Sequence, residues 1–254
     1  MYVGYLNAFT DNYIWFMRND KEIFIIDPGE STAIVDYIIV NNLKLKAILL
    51  THDHHDHVGG VNEILTHLKV PVYGMCDMVT HSVSDYQIIG LSDKLSVQVI
   101  ATPGHTYRSV CYLTCGNAMQ KQSLFCGDTL FASGCGRVFT GDFLAMFNSL
   151  NILSKLSPQI WLYPGHEYTL KNLQFAQFIE PENLLITKRI KLEHNKLVHL
   201  SNTLPVTLAT ELATNPFLRC YDANLVAALS KIVNQQLTPG LECFIKLREL
   251  RNNF

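Results

Sequence analysis

The chain has 254 residues, 48% of them hydrophobic and 17% charged, and its 20 basic and 22 acidic side chains leave a formal net charge of −2. That length suits one large domain or a core domain with a smaller companion, and the composition excludes collagen-like, low-complexity and largely disordered chains. The near-neutral balance gives no support to a nucleic-acid or membrane-binding surface, and no apolar run is long enough to span a bilayer.

The opening Met1-Tyr2-Val3-Gly4-Tyr5-Leu6 lacks a basic leader and is interrupted by Asp11-Asn12, so it does not read as a secretory signal. Residues 14–18 and 23–26 read as strands joined by the polar turn Asn19-Asp20-Lys21, and Asp27-Pro28-Gly29 stops the second. A helix follows over about 31–41, with Ser31 as its N-cap. Residues 47–50 form a buried strand running directly into Thr51-His52-Asp53-His54-His55-Asp56-His57, a segment expected to be a loop, and Gly59-Gly60 opens a helix to about residue 67. Residues 72–73, 97–101, 110–113 and 123–126 read as strands, 143–156 as a helix and 160–163 as a strand. Past about residue 170 the pattern turns helical, over 170–179, 184–200, 208–212, 223–233 and 241–251. The expected organisation is a layered α/β domain over 1–169 followed by a smaller helical domain over 170–254, with no internal repeat.

The seven cysteines are odd in number and scattered, which argues against a disulfide framework and for reduced thiols in a cytoplasmic protein. Cys111 and Cys115 have a metal-compatible spacing, but their strand-like surroundings favour the reading as small apolar side chains.

The chemistry-bearing signal is His52-x-His54-x-Asp56-His57. Four histidines (His55 included) fall within six residues of a chain that has only ten. Alternate residues of an extended segment project the same way, so His52 and His54 can reach one ion, while Asp56 and His57 turn toward a second. Further donors follow other strands: His105 in Pro103-Gly104-His105, Asp128 in Cys126-Gly127-Asp128, and His166 in Pro164-Gly165-His166. The count fits two ions, His52, His54 and His105 on one, Asp56, His57 and His166 on the other, with Asp128 bridging. Imidazole with carboxylate suits Zn first, with Fe or Mn also acceptable, rather than Ca or Mg. A water held between such ions loses a proton near neutral pH and becomes a nucleophile, which makes Asp56 and Asp128 catalytic as well as ligating. Asp27 reads equally as a plain turn residue and as an outer acceptor for a ligand imidazole N–H. His55, His67, His81, His194 and His199 read as non-ligands.

This ligand pattern resembles that of the metallo-β-lactamase superfamily. The segments 51–60, 125–131, 134–137 and 165–170 narrow the resemblance to glyoxalase II, the hydroxyacylglutathione hydrolases, as do 8–15, 215–219 and 247–254. The resemblance therefore covers essentially the whole chain. It implies an αββα sandwich followed by a smaller all-α C-terminal domain that contributes to glutathione binding. It also implies a metal-dependent thioester hydrolase acting, as a monomer, on S-D-lactoylglutathione to give D-lactate and glutathione. Arg137, Tyr168, Arg248 and Arg251 match positions that bind glutathione in similar proteins, and Phe139 stands where some relatives carry tyrosine. Without the resemblance, Arg248 and Arg251 read as a solvated basic helix end.

The chain departs from the family after His105, where Tyr107-Arg108-Ser109 replaces the usual x-Gly-His. Arg in place of Gly would disturb the backbone if φ were positive there. The alternatives are another hydrolase of the same fold, or a glutathione persulfide dioxygenase with one iron. The donor set Asp56, His57 and His166 counts against the dioxygenase.

Overall fold

The structure, a computed structural model, describes residues 1–116, 121–200 and 202–254. The first sheet runs in chain order through β1 (Tyr2–Ala8), β2 (Asn12–Asn19), β3 (Glu22–Ile26), β4 (Lys44–Leu49), β5 (Val72–Gly74) and β6 (His81–Ser82). Next come β7 (Ile88–Ser92), β8 (Leu95–Ala101), β9 (Val110–Cys115) and β10 (Ser123–Gly127), then a ribbon of β11 (Leu130–Phe131) and β12 (Gly134–Cys135). With β13 (Trp161–Pro164) and β14 (Val206–Thr207) these complete a second sheet, ordered β14-β13-β10-β9-β8-β7. The helices are α1 (Thr32–Val40), α2 (His55–Val58), α3 (Val61–His67), α4 (Phe143–Ser154), α5 (Thr169–Ile179), α6 (Leu184–Leu200), α7 (Leu208–Thr214), α8 (Ala223–Val233) and α9 (Leu241–Asn252). None of the described helices is long and apolar enough to cross a membrane.

Strand composition explains the layering. In β3, Phe24 and Ile26 join the core shared with Val97, Tyr112, Phe125 and Leu162 of the second sheet. Ile23 and Ile25, pointing the other way, pack with Ile34 and Ile38 of α1 and Val61 and Ile64 of α3. A strand covered on both faces reads as a continuous apolar run rather than an alternation, which is why 23–26 and 47–50 are so plain in the sequence. Each such side chain, fully withdrawn from water, contributes on the order of 1.5–3 kcal/mol. The outcome is an αββα sandwich with a helical C-terminal region.

Strand direction positions the site. β3 and β4 are parallel, β10 and β13 are parallel, and β8 is antiparallel to β9, which is antiparallel to β10. Asp27, His52, His105, Asp128 and His166 therefore all lie just past the carboxyl ends of strands. Backbone bonds stitch the sheets at this edge: Val110 N–H donates to the Thr51 carbonyl (2.8 Å) and Tyr13 N–H to that of Gly165 (2.8 Å).

Some local expectations are corrected. Ser31 stands at the N-cap of α1 but its side chain makes no cap bond; its hydroxyl donates to Glu63, and the Glu30 carboxylate accepts Thr32 N–H (2.8 Å) instead. The His-rich segment is not all loop, because His55–Val58 closes one helical turn. The edge strand β1 went unread, since only Gly4 and Ala8 of it are buried and its pattern is mixed. Beyond residue 170, β14 returns to pair with β13. Arg108 does not have a positive φ, so its substitution for glycine brings no backbone strain.

The ribbon that follows Asp128 is held from the C-terminal region. Ser133, at φ 55°, donates its N–H to the buried Glu211 carboxylate at 2.7 Å. Asn215 donates to the carbonyls of Phe131 (3.2 Å) and Gly134 (3.0 Å), and Arg248 to that of Cys135 (2.8 Å).

Candidate metal centre

Seven donor side chains converge at this edge in two trios with a carboxylate between them. His105 Nε2 lies 2.9 Å and His52 Nε2 3.2 Å from His54 Nδ1. On the other side His57 Nε2 lies 3.3 Å from His166 Nε2, and Asp56 Oδ2 lies 3.6 Å from the former and 3.3 Å from the latter. Asp128 faces both: its Oδ2 is 3.4 Å from His105, and its Oδ1 is 3.3 Å from His57 and 3.4 Å from His166.

Outer partners decide which nitrogen of each ring points inward. The Thr51 hydroxyl donates to Asp27 Oδ2 at 2.6 Å, so it can only accept from His52 Nδ1 at 3.0 Å. His105 Nδ1 donates to the Arg137 carbonyl at 2.8 Å, His57 Nδ1 to Asp27 Oδ2 at 3.1 Å and His166 Nδ1 to Asp11 Oδ1 at 2.7 Å. With every Nδ1 proton held outside, the Nε2 lone pairs of these four rings are left facing the centre. Asp27, His52 and His57 also form a close group. Both Asp27 oxygens are already occupied, Oδ1 by Thr51 N–H at 2.7 Å, so Asp27 supports the ligands from outside.

Electrostatics reinforce the geometry. Burial pushes the Asp128 carboxyl up, yet His57 and His166 outweigh it and hold it well below the usual range. Burial likewise opposes charge on the two imidazoles, but Asp128 and Asp27 raise His57 well above its ordinary value, and Asp128, Asp56 and Asp11 raise His166 to about 10. The bond to His166 leads in holding Asp56 low. Burial, with neighbouring imidazoles, lowers His52 and His105. The site thus demands positive charge. Asp128 Oδ1 is buried without a hydrogen-bond partner, at a cost that a cation would remove. The donor atoms of His52, His54, His105 and Asp128 lie within 4.8 Å of one another, as do those of Asp56, His57 and His166. The residues fit a metal.

Two glycines make room for this crowding. Gly127 has φ +44°, and a Cβ there would meet Thr51 Oγ1 at 2.3 Å. A Cβ on Gly165 would come 2.7 Å from both Asp128 Oδ1 and His57 Cε1.

The remaining expected residues surround the centre. Tyr168 stacks on His166, ring centroids 4.8 Å apart. Phe139 is exposed and meets the rings of His54 and His105 edge-on at 5.3 Å, with the Arg137 guanidinium 5.6 Å above it. Arg251 donates to Asn172 Oδ1 (3.1 Å) and its charge reaches Tyr168. Arg248 is only 5% exposed and bonds the Cys135 carbonyl and Asn252, so it is no solvated helix end. Among the described residues neither arginine forms an ion pair with a carboxylate. His55, His67, His81, His194 and His199 are exposed and stand apart from the cluster, and Cys111 and Cys115 belong to none of its donor groups.

Sequence reasoning passed over two contributors. Asp11 ends the turn between β1 and β2 and anchors His166, and Asn12 opens β2 and donates to Asp56 Oδ2 at 2.9 Å. They read only as a polar interruption, because their partners lie 155 and 44 residues away. The available signals were two adjacent polar residues at a strand end and their place in the segment 8–15 that resembles the family.

Residues 167–254 match the family described as Hydroxyacylglutathione hydrolase C-terminus, and residues 8–75 match the Metallo-beta-lactamase superfamily. A hydroxyacylglutathione hydrolase of Nitrosomonas europaea is 38% identical over 257 residues, covering 98% of this chain and 95% of the relative. Among solved structures, ETHE1 from Myxococcus xanthus superposes with a TM-score of 0.66 at 20% identity, covering 99% of this chain and 98% of that one. TTHA1623, solved in a di-iron-bound form, superposes with a TM-score of 0.60 at 22% identity, covering 85% and 100%. These structures share the fold, while the near full-length sequence match places the chain more narrowly: it belongs to the hydroxyacylglutathione hydrolase family.

Proposed function

We propose that the protein hydrolyses S-2-hydroxyacylglutathione thioesters, S-D-lactoylglutathione foremost, to the hydroxy acid and glutathione. In this reading two divalent ions, zinc by preference and iron or manganese as alternatives, are held by His52, His54 and His105 and by Asp56, His57 and His166, with Asp128 shared. The observation that carries it is Asp128, a buried carboxylate whose two oxygens face two separate sets of imidazoles. Such ions, when bound, supply Lewis acidity to the thioester carbonyl and to water.

The chain's own residues do the rest. Asp27, Asp11, Thr51 and the Arg137 carbonyl fix the imidazole tautomers and orientations. Arg251 and Arg248, spent only on neutral partners, offer a positive field to a glutathione carboxylate, and Arg137 and Tyr168 flank the centre. Phe139 offers a ring face without the hydroxyl of a tyrosine. In the reaction a C–O bond to water forms and the C–S bond breaks. The thiol leaves as thiolate, with a pKa near ~8.5, so no strong general acid is required.

The division of labour follows a boundary near residue 170, with 1–169 carrying the donors and 170–254 carrying Arg248 and Arg251. One chain supplies both, which suits a monomer, and the seven free cysteines suit the cytoplasm. A one-iron dioxygenase would leave one of the two donor sets idle.

The test is cleavage of S-D-lactoylglutathione by the purified protein, followed by loss of thioester absorbance. Turnover abolished by chelation and by Asp128→Ala is the expected result. No cleavage by metal-replete protein refutes the assignment.

A further inference from the structure

Asn172 stands near the start of α5, shortly past His166 and Tyr168, and is buried. Asparagine is a poor helix former, and a buried amide needs partners for both its ends. Its Nδ2 donates to the carbonyl of Ala132, between β11 and β12, at 3.0 Å. Its Oδ1 accepts from both Nε (3.3 Å) and Nη2 (3.1 Å) of Arg251 in α9. A carbonyl only accepts and a guanidinium only donates, so these partners allow the amide one orientation. Gly134 leaves room for it, since a Cβ there would meet Asn172 Nδ2 at 2.5 Å.

Phe175, on the same face of α5, turns its ring to the same guanidinium, 6.0 Å from the ring centroid. The Arg251 head is thus directed by an amide oxygen and an aromatic face, while among the described residues its Nη1 donates to nothing. A neutral amide holds the cation without cancelling its charge, as a carboxylate at this position would. Arg248 is tied directly to the Cys135 carbonyl, so both arginines of α9 take their places from the ribbon that follows Asp128.

Resting on the function proposed above, we infer that Asn172 is a positioning residue for glutathione. Its amide oxygen aims Arg251 at the ligand's carboxylate, and its Nδ2 references that aim to the ribbon beside the centre. A residue that acts only through Arg251 loses its effect once that guanidinium is gone. A residue that merely supports the fold has the same effect with or without it.

The experiment is a double-mutant cycle on metal-replete protein, with Asn172→Ala and Arg251→Ala singly and together. Calorimetry gives Kd for S-methylglutathione, a thioether that cannot be hydrolysed, and turnover of S-D-lactoylglutathione gives KM and kcat. Metal content and thermal unfolding are recorded for each variant. Asn172→Ala is expected to raise Kd and KM roughly tenfold, with metal content unchanged and kcat within about threefold. In the Arg251→Ala background the same change is expected to move Kd by less than about twofold. Gly134→Ala, which crowds the amide from the ribbon side, runs through the same cycle and carries the test if Asn172→Ala does not fold. Equal factors in both backgrounds, or no change in Kd and KM, overturn the positioning role. An Arg251→Ala variant with unchanged Kd and KM, with the thioester still cleaved, overturns this inference and leaves the hydrolase reading standing. A parent protein that neither binds the thioether nor cleaves the thioester overturns both.

Discussion

Replacing Asp11 by alanine isolates the contribution of a residue that touches no donor set except through His166. Its Oδ1 accepts the His166 Nδ1 proton at 2.7 Å, and this is what turns His166 Nε2 toward Asp56 and Asp128. Loss of such an outer partner costs roughly 10–100-fold in metal affinity or activity, about 1.4–2.8 kcal/mol. Because the Asp11 side chain is 35% exposed, water can replace part of the bond, and the expected loss is near the lower end, roughly tenfold. Asp11→Asn keeps an acceptor oxygen without the charge, and a neutral bond is about half as strong, so roughly threefold is expected there. Competition with a chromophoric chelator measures metal affinity, and thioester hydrolysis gives kcat/KM in parallel. Activity should recover as metal is raised, since the defect lies in holding the ion. Asp11→Ala with affinity and kcat/KM both within about twofold of the parent refutes the argument that Asp11 orients His166.

Three other changes probe different parts of the molecule. Gly165→Ala puts a methyl 2.7 Å from Asp128 Oδ1 and His57 Cε1, displacing both and lowering kcat/KM by roughly 10²-fold with the circular dichroism of a folded protein; parent-like activity would contradict the packing described. Glu211→Ala removes the buried acceptor of Ser133 N–H, Asn215 and Arg189 and leaves the buried guanidinium with Glu193, 3.7 Å from its Nε, as its remaining carboxylate, so urea unfolding should register a loss of about 1–3 kcal/mol. At the start of α8, burial raises the Asp222 carboxyl, but Arg219 and the N–H groups of Leu225 and Asn224 outweigh it and hold it low. Its stabilising contribution is therefore present above the unfolded value of about 3.9 and is lost as pH falls through the depressed folded value. Asp222→Asn, which keeps the cap acceptor, should flatten the stability profile below about pH 4, and an unaltered profile would exclude this carboxylate as its source.

The apolar runs at 23–26 and 47–50, the helices from residue 143 onward and the donor residue types were readable along the chain, because covalent spacing alone makes those patterns. Turn glycines after strands marked where His105, Asp128 and His166 would emerge. The two-residue strands β6, β11, β12 and β14 were not readable, since so few residues carry no period and only pairing defines them. Tertiary structure alone decided that Asp128 turns one oxygen to each trio, that Asp11 and Asn12 belong to the centre, and that Arg248 is buried rather than solvated. Each of these depends on partners tens to more than a hundred residues distant. A sequence spells out which groups are available and how near neighbours project; which distant group meets which is set only when the sheets pack and the strand ends come to one edge.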